Sequence, residues 1–140
     1  MMKADFYNTF QRHWKDAEYL YNDSRWPNAD QLYGYSAECG LKCIMIQFGM
    51  QVDNTGTPTN KDQDKVHINK IWNRYETYRA GVGASGYSLL QQNPFDNWDM
   101  SDRYAHESNF NQSYVDPHRN GASLVMSLVN KAILEGILVI

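Results

Sequence analysis

Large apolar residues recur at Phe6, Phe10, Trp14, Ala17 and Tyr21. Steps of four, four, three and four keep one side of a helix apolar and predict a first helix over residues 2–22. Ser24-Arg25-Trp26-Pro27 breaks the pattern. Proline costs nothing at the first helical position, so a second helix is predicted over 27–48. Its stripe is Leu32, Tyr35, Cys39, Cys43 and Ile46, widened by Ala37, Gly40 and Ile44, and Gly49 supplies a stop. The small residues Ala37 and Gly40 point to close helix packing. Residues 50–65 are rich in Asn, Asp, Thr, Gly and Pro and read as a surface loop. Ile68, Ile71, Trp72, Tyr75 and Tyr78 return to helical spacing and predict a third helix over 66–78, with Gly81 just past its end. The next stretch is less regular. Residues 87–92 predict a short helical turn, Pro94, Phe95 and Trp98 an anchored loop, and 101–109 another short helix. Asp116-Pro117 has the form of an N-cap followed by a first-turn proline, opening a last helix with Leu124, Val125, Leu128, Ala132, Ile133 and Leu138.

Four substantial helices with no alternating, strand-like run imply an all-α fold. The expected architecture is an antiparallel bundle of four main helices plus short helical turns, forming a single domain over residues 1–140. The apolar end, Ile137-Leu138-Val139-Ile140, serves either the core or an oligomer contact.

Composition removes several classes of function. With 42% hydrophobic and 21% charged residues, the chain is neither disordered nor a disulfide-dominated mini-fold. A formal charge of −3 argues against a broadly basic nucleic-acid surface, although a local cationic groove is compatible with it. No segment approaches the roughly 18 apolar residues of a membrane span, and the first twenty residues lack an apolar leader, so the chain reads as cytoplasmic with no membrane partner. Cys39 and Cys43 lie one turn apart, a spacing unsuited to a disulfide, and no second pair completes a zinc site. Both read as core thiols.

Three stretches carry a family resemblance. Within 28–44, Gly34-Tyr35 leads to Glu38 and then Lys42; His67 opens the third helix ahead of Trp72; and Trp98 is followed by Arg103-Tyr104 before the last helix. In these respects the chain resembles HEPN-domain proteins. The resemblance implies a prokaryotic helical bundle, often a homodimer, in stress, defence or toxin–antitoxin systems. It further implies a nucleotidyltransferase or antitoxin partner protein, or metal-independent ribonuclease activity. Catalytic members separate arginine from histidine by four to six intervening residues. Here only two residues separate Arg103 from His106, and after Arg119 Leu124 and Met126 stand where histidine would fall.

The residues themselves offer related chemistry. On a helix, Arg103 and His106 at i, i+3 would share a face and contact one phosphate. Histidine exchanges protons near neutral pH and guanidinium stabilises charge on phosphoryl oxygens, so metal-free RNA cleavage through the 2′-hydroxyl is chemically accessible. The plainer alternative pairs Arg103 with Asp99, Asp102 or Glu107 and packs Tyr104 inward. Lys42, Arg74 and Tyr104 are further candidate contacts for an RNA or nucleotide ligand. Glu38 and Lys42 at i, i+4 also suit a structural ion pair, and His67 a bond to a neighbouring helix. Two motifs fail on context. Gly81, Gly83 and Gly86 match a dinucleotide fingerprint but follow a helix rather than a strand. Asn60, Asp62 and Asp64 mimic a calcium loop, yet Lys65 and Ile71 occupy the positions of its glycine and closing glutamate. No cofactor or metal site emerges. Three functions remain: a nucleotide-, RNA- or partner-binding module, a ribonuclease using Arg103 and His106, and an interaction subunit docking through its apolar C-terminus.

Overall fold

The computed structural model describes residues 2–89 and 91–140. Asp5 sets the first helix: its carboxylate accepts the Asn8 N–H at 2.9 Å, so α1 (Phe6–Asn22) begins at this cap rather than near Met2. The helix ends at a sharp corner. Ser24 takes the left-handed conformation, φ 57°, and the N–H groups of Ser24 and Arg25 bond back to the carbonyls of Tyr21 and Leu20. The chain thereby reverses into α2 (Trp26–Gln47), and the two helices pack antiparallel.

Helix α2 is the centre of the bundle, packing against α1, α3 (Ile68–Gly81) and α4 (Gln112–Leu134). Tyr33, Ala37, Leu41, Ile44 and Met45 are fully buried, whereas Leu32, Tyr35 and Ile46 of the expected stripe are half-buried. A helix enclosed on several sides has no single apolar face, so the stripe captured only part of its buried surface. Each large side chain sealed here contributes about 1.5–3 kcal/mol by leaving water. Gly40 permits two close approaches at once: a Cβ there would lie 2.6 Å from Val125 Cγ1 and 3.0 Å from the Phe10 ring.

The loop after α2 is pinned rather than free. Thr55 C=O accepts the Ala4 N–H at 2.7 Å, and Asp64, only 1% exposed, accepts Arg74 Nε at 2.7 Å and the Tyr78 hydroxyl at 2.6 Å. The last helix also starts earlier than the Asp-Pro signal suggests. Asn111 caps it by accepting the Tyr114 N–H at 2.9 Å, while Asp116 accepts the Tyr21 hydroxyl at 2.6 Å instead of capping. Pro117 therefore lies inside α4, where its missing donor leaves the Ser113 carbonyl without the usual i+4 bond. Beyond α4, Gly136 turns the chain with φ 74°, Leu138 enters the core, and Val139 and Ile140 are exposed.

Residues between α3 and α4 form short 3₁₀ turns, Ser85–Tyr87, Met100–Tyr104 and Glu107–Asn109. The expected turn over 87–92 includes Leu90, which lies outside the described residues. The helix expected over 101–109 is replaced by two turns, because Ala105 and His106 are extended between them. Among the described residues no helix is long and apolar enough to cross a membrane. Cys39 and Cys43 are free and buried; burial pushes the Cys43 thiol up to about 12 and raises Cys39 as well.

Candidate functional site

The segment 94–110 lies over α2 and is fixed there by a buried polar cluster. Trp98, 1% exposed, covers Gly34 and donates its indole N–H to Asp30 C=O at 3.1 Å. Gln31 Nε2 donates to Asp99 C=O at 3.0 Å. Beneath this, His118 Nδ1 meets Asp30 Oδ1 at 2.5 Å and His118 Nε2 meets Asn97 Oδ1 at 2.8 Å. Both ring nitrogens face oxygen, so the imidazole is clamped between Asp30 and Asn97. Phe95 stacks on the ring and Tyr114 closes its edge. Burial pushes the Asp30 carboxyl up, opposed by its bond to His118, and Asp30 Oδ2 has no hydrogen-bond partner. Because Asp30 and His118 are fully buried, they hold the segment in place rather than touch a ligand.

The outer half of the segment is exposed and self-braced. Asp99 Oδ1 accepts the N–H and hydroxyl of Ser101 at 2.8 and 2.7 Å, starting the first turn. His106 Nδ1 accepts the Ser108 N–H at 3.1 Å, starting the second. That bond leaves the ring proton on His106 Nε2. His106 lines a cleft of about 520 Å³ against the α1–α2 corner, whose other lining groups include Asp23, Arg25, Trp26 and Glu107. The Arg25 guanidinium has no hydrogen-bond or ion-pair partner among the described residues, in contrast to Arg74, Arg79 and Arg119. Helix α2 begins here without a side-chain cap.

The expected site residues are distributed differently. Arg103 does not join His106, because the helix that would have placed them on one face is interrupted at Ala105 and His106. Its donors go to Met100 C=O at 2.8 Å and the Tyr104 hydroxyl at 2.9 Å, and its guanidinium covers the Tyr104 ring at 4.4 Å. Tyr104 is 78% exposed rather than packed inward. Lys42 is buried and donates to Glu38 at 2.9 Å and Val66 C=O at 3.0 Å, which makes it structural; Glu38 also meets His67 Nδ1 at 3.0 Å. Arg74 is committed to Asp64 and so holds the 50–65 loop instead of reaching a ligand. Arg25 and the Asp30–His118–Asn97 cluster escaped the sequence reading. Arg25 lies in an aperiodic corner, and His118 lies 88 positions beyond Asp30.

Chemically, the cleft offers one guanidinium fork and one imidazole N–H for an oxyanion, flanked by two carboxylates that accept from hydroxyl or amino groups. Its volume is in the range of small-ligand pockets. The fold and cleft together define an all-helical bundle presenting a mixed-charge surface pocket. Comparison with protein-family models, curated proteins and solved structures gave no match to this chain.

Proposed function

We propose that the chain is a HEPN-like binding module for a nucleotide or the phosphorylated end of an RNA, within a prokaryotic stress, defence or toxin–antitoxin system. The observation that carries the reading is the unpartnered Arg25 guanidinium in the same cleft as His106, with Asp23 and Glu107 beside them. A nucleotide complements that set. Its phosphate meets the guanidinium and the imidazole N–H, and its ribose hydroxyls supply donors to the carboxylates. The all-α bundle agrees with the architecture that the HEPN resemblance implies.

Calorimetric titration with adenosine monophosphate and a short 5′-phosphorylated RNA tests this. Arg25→Ala is expected to weaken binding about tenfold or more, the scale of a lost charge-assisted hydrogen bond. His106→Ala should weaken it less, and Arg103→Ala should leave it within error. Absence of binding, or equal binding by Arg25→Ala, would refute the reading. The same protein incubated with RNA in EDTA tests the cleavage alternative; turnover abolished by Arg25→Ala and His106→Ala would convert the module into a metal-independent ribonuclease.

A further inference from the structure

A second cleft, sharing no residue with the first, lies between the outer turns of segment 94–110 and the first turn of α4. Its volume is about 270 Å³, and it is lined by Asp102, Ala105, Asn109, Phe110 and Tyr114. The backbone there has no donor to offer. The N–H groups of these five residues are committed in turn to the carbonyls of Asp99, Asp102, His106, Glu107 and Asn111. The side chains present mostly acceptors. Asn109 Nδ2 donates to His106 C=O at 2.9 Å, which leaves its Oδ1 without a partner, and the Tyr114 hydroxyl gives its one proton to Asn97 C=O at 3.1 Å. The second Asn109 amide proton is the single donor left in the lining. Asp102 is half-buried, yet its carboxylate has no hydrogen bond or ion pair among the described residues. The adjacent cation does not answer it, because Arg103 donates to Met100 C=O and the Tyr104 hydroxyl. Phe110 and Tyr114 meet at right angles, with ring centroids 5.5 Å apart. Burial raises the Tyr114 hydroxyl, and the nearby charges of Asp30 and Asp102 raise it further, so this aromatic wall stands in a negative field.

We infer that this cleft takes the side chain of an arginine carried by a partner polypeptide. A guanidinium has five N–H donors, no acceptor and a permanent positive charge. It complements a lining with an unpaired carboxylate, two further oxygen acceptors and one donor. Its fork fits the Asp102 carboxylate while its flat face lies against an aromatic ring. An ammonium group answers the charge but forms neither the paired bonds nor the stack. Free arginine is a poorer occupant, because the lining has almost nothing to pair with its own carboxylate, which in a peptide is a neutral amide. The net charge of −3 favours the same choice, a partner with a basic surface. The inference does not depend on the Arg25 cleft, which none of these five residues line.

The test is an NMR titration of the full chain with a glycine-arginine-glycine peptide blocked at both ends, at constant ionic strength set with sodium chloride. Saturable shifts are expected at the Ala105, Asn109 and Phe110 amides and the Tyr114 ring, and Asp102→Asn should raise the apparent Kd about tenfold. The blocked glycine-lysine-glycine peptide and free arginine, titrated in parallel, should bind more weakly. No saturable shift with the arginine peptide, shifts reproduced by sodium chloride, or an unchanged Kd in Asp102→Asn would overturn the assignment. So would binding of the lysine peptide or of free arginine as tight as that of the arginine peptide. The Asp102 carboxylate makes no bond within the fold, so Asp102→Asn should melt like the parent, and Arg25→Ala should leave these resonances responding as before.

Discussion

The two halves of segment 94–110 use similar residues to opposite ends. In the inner half Phe95 and Trp98 are buried and Asn97 closes on His118, so aromatic and amide groups become core. In the outer half Arg103, Tyr104 and His106 are exposed, and their bonds run to near neighbours in sequence. A single connection thus contains its own foundation and its own display surface, an economical way to hold a polar loop at fixed height above a helix.

That contrast breaks most sharply at His118. Removing one member of a buried pair strands the other, so His118→Ala should cost about 3–5 kcal/mol, measured as a lower urea midpoint by tryptophan fluorescence. A loss below about 1 kcal/mol would show that the pair is not the anchor. Gly34→Ala attacks the same foundation from α2. Its Cβ would fall 2.2–2.5 Å from the Trp98 indole, and overpacking of this kind costs about 1–3 kcal/mol. At the surface the expectation reverses: Arg103→Ala and Tyr104→Ala should each stay within about 0.5 kcal/mol of the parent.

Acid titration sharpens the comparison. Hydrogen bonds from Arg119 hold the Glu18 carboxyl below its usual range. Its contribution is complete above the ordinary glutamate value near ~4.3 and is lost as pH falls through the lower folded value. Asp30 has the opposite sign. Burial raises its folded value, so its contribution is complete below the ordinary aspartate value near ~3.9 and is lost as pH rises through the folded one. Glu18→Gln should flatten the acid limb of stability by ~1 kcal/mol or less, because solvent screens this partly exposed pair. An unchanged limb would assign acid sensitivity to other carboxylates.

Much of the fold is legible in the sequence because helical spacing is a local signal. Phe10 and Ala17, and later Ile68, Ile71, Trp72 and Tyr75, are buried at the positions their spacing implies. Errors arise where short polar residues decide. Asn111 takes the cap expected of Asp116, whose carboxylate is drawn to Tyr21, and Asp64 is a buried strut in a stretch of loop-like composition. The candidate site is less legible still. Asp99 and His106 each start a turn of their own, which divides one expected helix into two, and whether Arg25 and His106 line one cleft depends on where a distant segment docks.

The central placement of α2 also orders the assembly of the molecule. Helices α1 and α2 meet across a three-residue corner, whereas 94–110 can dock only after α2 and α4 have presented Asp30 and His118 together. Local contacts close with little loop entropy and form early; the distant docking forms late and is the first to open. Native-state hydrogen exchange should therefore report opening of 99–109 while α1 and α2 stay protected. On that expectation Arg25 would reach its position before His106, and the cleft between them would be the last surface to form.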